Sequence, residues 1–197
     1  LHWAPPPGLR CDHALETGLT IGTGYDSMLA KLIAHGPDRD TARRRLCAGL
    51  EALVLQGLVT NRALLAGVLD HAVFAAGEAT TDFLDTVFAD HASLAARAPA
   101  PRDLALAAAL FAHRAAPWDA RLGWSNGPAL PRRWRFETGG AVHAATVTLT
   151  RTATGLRAET RGAAVDLLEI GADRLRVLDG GAIHALPYAW DGPRLWL

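Results

Sequence analysis

"DLALAAALFAHRA", residues 103–115, decides the fold of the chain's second half. It is apolar on every side of a helix. A surface helix buries one stripe and leaves the rest polar, so this segment predicts a helix enclosed by other protein. The sequence that follows supplies the wrapper. "AATVTLT", "GLRAET", "AAVDLLEI", "DRLRVLD" and "AIHALPYAW" read as strands, several alternating with period two. Between them "TATG", "GAD", "DGG" and "DGP" carry glycine at hairpin spacing. Short strands joined by tight turns make an antiparallel meander, and closing a meander into a barrel removes its edges. The expectation is an antiparallel β-barrel, 133–197, around a central helix, 102–115.

Between helix and barrel lies "PWDARLGWSNGPALPRRWR", with Trp118, Trp124 and Trp134 spaced along a proline- and glycine-rich segment, 116–132 for its main part. Exposed tryptophans there would anchor an interface. Alternatively they plug the ends of the barrel. On the other side of the helix "SLAARAPAPR" is rich in alanine and proline, and the expected linker is 92–100.

Residues 1–91 have a different character. The proline cluster Pro5 to Pro7 and "TGLTIGTG" suit extended segments and tight turns. In "PDRDTARRRLCAGLEALVL" the period becomes helical: Ala42, Leu46, Leu50, Leu53 and Val54 recur on one side, Asp38 is a plausible N-cap, and Gly57 ends the pattern. Arg43, Arg44 and Arg45 read as a solvated face rather than a phosphate patch, with Asp40 and Glu51 nearby. A second helix is expected from Thr60, with Leu64, Leu65, Val68 and Leu69. A third is expected from about Thr81, with Phe83, Leu84, Val87 and Phe88. This half is a mixed strand-and-helix unit, so the whole chain is of the α+β class.

Composition excludes more than it identifies. Twenty Lys and Arg balance twenty Asp and Glu across 197 residues, so no global field draws the chain toward nucleic acid or a membrane surface. No apolar run reaches the roughly 20 residues that span a bilayer. Cys11 and Cys47 are too few and too separated for a disulfide framework, which suits a reducing compartment. Cys11 and His13 form a C-x-H pair with no second pair at zinc spacing. The chain has no Walker loop, no GxGxxG, no HExxH and no GxSxG, and its eight histidines are scattered. His113 reads as a structural histidine near a helix end. No catalytic, cofactor-binding or metal residue is assigned. Leu1 in place of methionine, and a strand-like end at Leu195, Trp196 and Leu197, suggest a piece of a longer polypeptide.

One further stretch is informative. "YDSMLAKLIAHGPDRDTARRRLCAGLEALVLQGLVTNRALLAGVLDHAVFAAGEATTDFLD", residues 25–85, contains the chain's only lysine and only methionine. Tyr25-Asp26-Ser27-Met28, Ala30-Lys31-Leu32-Ile33, Gly36, Asp38-Arg39, Gly57, Thr60-Asn61, Thr81 and Phe83-Leu84 form a long ordered set. This set resembles the end of a biotin carboxylase domain, and upstream Gly8-Leu9-Arg10 resembles the family's glycine, aliphatic, arginine motif. On this reading Lys31 is a strand residue rather than a nucleophile or phosphate ligand.

The resemblance implies an ATP-grasp fold that uses ATP, magnesium and bicarbonate to carboxylate biotin. The family's ATP-binding, metal-binding and catalytic groups lie before the matched part, so the fragment should be inactive alone and bind no cofactor. Arg10 and Asp26 match positions associated with the family's dimer face. In acyl-CoA carboxylase alpha subunits a linking domain (BT domain), a barrel around a helix, follows biotin carboxylase and helps to hold the carboxyltransferase beta subunit. Residues 101–197 would be that domain, 116–132 its hook, and Trp118 and Trp124 its beta-subunit contacts. Pro117-Trp118 and Gly123-Trp124 look most like bacterial methylcrotonyl-CoA carboxylase, which implies a bacterial cytoplasmic enzyme whose biotin carrier domain lies past Leu197. Propionyl-, acetyl- or geranyl-CoA carboxylase, another biotin enzyme such as pyruvate carboxylase, or a non-enzymatic ligand-binding barrel are the alternatives.

Overall fold

A computed structural model describes residues 1–24, 26–95, 97–116 and 127–197. They fall into two units, Leu1–Ala96 and Arg97–Leu197.

The first unit runs β1 (His2–Ala4), β2 (Arg10–His13), β3 (Ala30–Ile33), α1 (Arg39–Ala52), β4 (Val54–Gln56), α2 (Arg62–Asp70), α3 (Ala72–Ala76) and α4 (Phe83–Thr86), then a 3-10 turn at Ala92–Leu94. β1 pairs with β4 and β2 with β3, both antiparallel. Trp3, Leu15 and Leu53 form a small core, with Leu29, Leu32 and Leu55 against it. α1 begins as its sequence requires: the Asp38 carboxylate accepts from the Thr41 amide at 2.7 Å, satisfying a donor that no helical carbonyl can reach. That bond holds the Asp38 carboxyl below its usual range. Gly57 sits at φ +107, backbone open to glycine rather than to residues with a Cβ.

Two expectations for this unit change in detail. The third expected helix is only a turn long, Phe83–Thr86, and of its four expected apolar residues Phe83 and Phe88 are buried while Leu84 and Val87 stay exposed. The arginine triplet is split as well. Arg44 and Arg45 face solvent, but Arg43 is largely covered and donates to the Leu69 carbonyl at 2.9 Å, tying α1 to α2.

The second unit starts with α5 (Pro101–Ala115), followed by β5 (Arg132–Thr138), β6 (Ala141–Arg151), β7 (Leu156–Thr160), β8 (Ala163–Ile170), β9 (Arg174–Asp179), β10 (Ala182–Pro187), β11 (Ala189–Asp191) and β12 (Arg194–Trp196). Pro101 opens α5 where its missing N–H removes nothing, and the Asp103 carboxylate reaches back to the Ala100 amide at 3.0 Å. No residue from Arg102 to His113 is exposed. Leu106 and Leu110 pack on Val147, Leu156, Val165, Leu167, Leu175 and Val177, the inward residues of β6 to β9. Burying leucines of this kind is worth about 1.5–3 kcal/mol each. The enclosed helix read from 103–115 is therefore present.

β5 to β10 form one antiparallel meander in sequence order. Glycine pairs Gly139-Gly140 and Gly180-Gly181, all at positive φ, make two of its tight turns. The expected barrel does not close. β5 and β10 are the two edges of the sheet and are not hydrogen-bonded to each other. After Pro187 the chain leaves the meander and folds on itself as the β11–β12 hairpin, so among the described residues no further strand spans the gap. Side chains finish the enclosure there instead: Trp190 and Leu195 pack against the same core as α5.

Candidate functional site

In the β2–β3 hairpin the register sets Asp12 opposite Lys31 and Arg10 opposite Ile33. Arg10 and Asp12 are two residues apart and share a face. The guanidinium donates to both carboxylate oxygens, Nε to Oδ1 at 2.9 Å and Nη2 to Oδ2 at 3.0 Å. This fork holds the Asp12 carboxyl below its ordinary range, and the charges of Arg10 and Lys31 act in the same direction. The group is open to water, where ion pairs contribute little to stability. It can present a rigid arrangement of charge to a partner surface.

Asp26 stands in the turn before β3. Its Oδ1 accepts from the Ser27 hydroxyl at 3.3 Å and the Met28 amide at 3.4 Å. Arg10 and Asp26 thus have separate hydrogen-bond partners, both exposed. Lys31 lies in β3 with its side chain in solvent and a carboxylate across from it, the setting of a strand residue. Leu9 packs on α1 at Gly49, where a Cβ would collide with it. The Gly8-Leu9-Arg10 motif therefore places Leu9 against the helix and Arg10 at the start of the hairpin strand.

In the second unit Trp134 lies on β5, half-buried against the core rather than displayed. It stacks on Phe136 with centroids 6.1 Å apart, Phe111 meets Phe136 at 5.9 Å, and Phe111 meets Trp190 edge-on at 4.9 Å. Trp118 and Trp124 lie outside the described residues, as does most of 116–132; Arg132 is already in β5. His113 sits in the last turn of α5, and burial lowers its pKa below 6.5. Burial also pushes up the Tyr188 hydroxyl, which donates to the Gly171 carbonyl at 2.5 Å.

Three of the scattered histidines share one role that spacing for catalysis did not suggest. The Nδ1 atoms of His13, His71 and His91 accept from the amides of Leu15, Val73 and Ser93, two residues on, at 3.1, 3.3 and 3.2 Å. Each is followed by alanine, but so are His143 and His184 in strands, so the His-Ala pair alone does not mark this role. Cys11 and Cys47 are free, half-buried thiols whose pKa burial raises. Among the described residues no group of three His, Cys, Asp or Glu is placed to hold a metal ion. No helix among them is long and apolar enough to cross a membrane.

Residues 1–86 match the Biotin carboxylase C-terminal domain. The biotin carboxylase match ends before the second unit begins. Biotin carboxylase 1 of Bacillus subtilis is 40% identical over 86 residues, 43% of this chain and 19% of that protein. The propionyl-CoA carboxylase alpha chain of Rattus norvegicus is 35% identical over 107 residues, 53% of this chain and 14% of that protein. That second alignment is longer than the whole first unit. The chain thus aligns with under a fifth of either relative's length. A solved single-chain, multi-domain long-chain acyl-CoA carboxylase covers 92% of this chain and 18% of its own, at 20% identity and a TM-score of 0.44.

Proposed function

We propose that this chain is part of the alpha subunit of a biotin-dependent acyl-CoA carboxylase: the end of its biotin carboxylase domain, 1–91, a linker, 92–100, and a subunit-linking domain, 101–197. The observation that carries this reading is one of sequence order. A biotin carboxylase C-terminal match at 1–86 is followed, in the same chain, by a helix enclosed in an antiparallel meander. The propionyl-CoA carboxylase alignment that outruns the first unit favours an alpha subunit over a free-standing biotin carboxylase.

In the intact bacterial cytoplasmic enzyme, ATP, magnesium and bicarbonate carboxylate biotin on a carrier domain, and the beta subunit passes the carboxyl group to an acyl-CoA. The part described here contributes assembly. A linking domain that fixes the two active sites within reach of the tethered carrier raises its effective concentration at each. Trp118 and Trp124 contact the beta subunit, and Arg10 and Asp26 lie on the face between biotin carboxylase domains. The acyl group is 3-methylcrotonyl on the tryptophan pattern. A propionyl group is the second reading, favoured by the rat relative.

The test is co-purification of the 197-residue chain with methylcrotonyl-type and propionyl-type beta subunits. Retention by one of them, weakened in Trp118→Ala or Trp124→Ala, is the expected result. Failure with both types would overturn the assembly role. Bicarbonate-dependent ATP hydrolysis by the 197-residue chain alone would overturn the assignment of catalysis to other parts of the enzyme.

A further inference from the structure

Asp-His-Ala occurs in the sequence at 12–14, 70–72 and 90–92 and nowhere else. In each copy the histidine Nδ1 accepts the amide two residues on. The two later copies bracket one segment. His71 caps α3, His91 caps the turn at Ala92–Leu94, and their rings lie 6.1 Å apart. Both meet Phe88, which is fully buried, stacked on His91 at 4.2 Å and edge-on to His71 at 5.9 Å.

Little else holds this segment. From 71 to 94 only Phe83 and Phe88 are buried. α3 has five residues and α4 four, too short to persist alone. Arg39 donates to the Phe74 carbonyl at 2.7 Å, and the 3-10 turn rests on Gly67 of α2, where a Cβ would lie 2.6 Å from the Ser93 hydroxyl oxygen.

An Nδ1 that accepts an amide hydrogen carries no proton of its own, and an imidazolium has no acceptor left. Proton uptake at Nδ1 and the cap therefore exclude each other at both ends of the segment. Two imidazoliums at this separation also repel. Stacking on Phe88 offsets part of the charge at His91 but leaves the Ser93 amide without its acceptor. The charged groups on the surrounding elements are Arg43 on α1, Asp70 at the end of α2, Glu78 after α3, Asp82 and Asp85 at α4, and Asp90. Arg43 is held by Asp40 and the Leu69 carbonyl, and the five carboxylates are exposed. Among the described residues none of them bonds to either ring, so no fixed counter-ion keeps an imidazolium in the closed segment.

We propose that His71 and His91 form a proton-operated latch, which holds 71–94 closed while both rings are neutral and releases it when they take up protons. Because both caps close on Phe88, one opening breaks both, and the two protons bind together. Release frees the last segment of the first unit, ahead of Arg97 where the second begins. The latch goes beyond the assembly role above and does not depend on it.

The test is an NMR titration of the 197-residue chain across the range in which histidine changes charge, pH 8 to 5, following the ring protons. His71 and His91 should titrate together with a Hill coefficient above one. His13 has the same cap with only Trp3 against its ring, and should titrate with a coefficient of one. The Val73 and Ser93 amides should lose about tenfold or more of their protection from exchange as both caps go. In His71→Asn, whose side-chain oxygen accepts from Val73 without taking up a proton, His91 should titrate with a coefficient of one. The double variant His71→Asn, His91→Asn should keep its protection at the acid end. A coefficient of one or below in the unsubstituted chain, as expected of two rings that stay packed and repel, would overturn the proposal without any variant having to fold. Equal acid loss of protection in the double variant would overturn it as well.

Discussion

The guanidinium of Arg114 lies 4.4 Å from the centre of the Trp190 ring and donates to the Gly192 carbonyl at 2.7 Å. One side chain at the end of α5 thereby grips both the strand and the turn of the β11–β12 hairpin. Phe111, one turn earlier on the helix, meets the same indole edge-on and reaches Phe136 on β5. The contacts run from β5 through the helix to β11, along the side where backbone pairing stops. Among the described residues, where no strand closes the sheet, these rings cover the helix.

Loss of that grip should therefore loosen the second unit. Arg114→Ala removes a cation–π contact and a charge-assisted hydrogen bond, together about 1 kcal/mol at a partly exposed site. A unit of this size should then unfold about 4–8 °C lower. Trp190→Ala should cost about 3 kcal/mol, since it also removes the packing of Phe111. Differential scanning calorimetry distinguishes the two. An unchanged melting temperature in Arg114→Ala would mean that the ring contacts hold the hairpin without it.

How much of this was legible in the sequence depends on the range of the interactions. The enclosed helix was readable because apolar residues on all sides have few other solutions, and the strands and turns because period two and paired glycines are local signals. Barrel closure was not readable. Whether β10 meets β5 depends on where the chain goes after Pro187, which the alternation within each strand does not encode. Arg10 and Asp26 came from resemblance alone, and the fork from Arg10 to Asp12 needed the hairpin. Arg43 looked like one of three solvated arginines until α2 supplied a carbonyl for it.

Gly155 gives a sharp test of the second unit's packing. A Cβ there would collide with the Leu167 carbonyl oxygen and sit 3.2 Å from the Leu168 Cα. These are backbone atoms beside the bulge of β8 and cannot swing aside. Gly155→Ala should lower the urea midpoint substantially, by overpacking worth about 1–3 kcal/mol. Gly22→Ala, where a Cβ meets nothing within 4 Å, should be neutral or slightly stabilising. Equal midpoints would mean that the β6–β7 turn relaxes freely.

The histidine caps make a separable prediction for the first unit. At His71 an asparagine can accept the same amide bond from Val73, whereas alanine cannot. His71→Ala should cost about 1 kcal/mol for the cap, plus the loss of ring contacts with Phe83 and Phe88 at 5.2 and 5.9 Å. His71→Asn should recover the cap part alone. Urea unfolding followed by circular dichroism measures both, and two equal losses would assign the effect to the rings.

His113 should contribute to the acid response of the second unit. Its folded-state pKa lies below 6.5 because burial in the last turn of α5 disfavours the imidazolium. The unfolded chain has no such burial and takes up the proton first as pH falls. The contribution of neutral His113 is therefore fully present above about pH 7 and declines as pH drops through 6.5 toward the folded value. Thermal unfolding measured from pH 7.5 to 5.0 should show a falling midpoint for the second unit. His113→Gln, which cannot take up a proton, should flatten that slope. A slope unchanged in His113→Gln would assign the acid response to other groups.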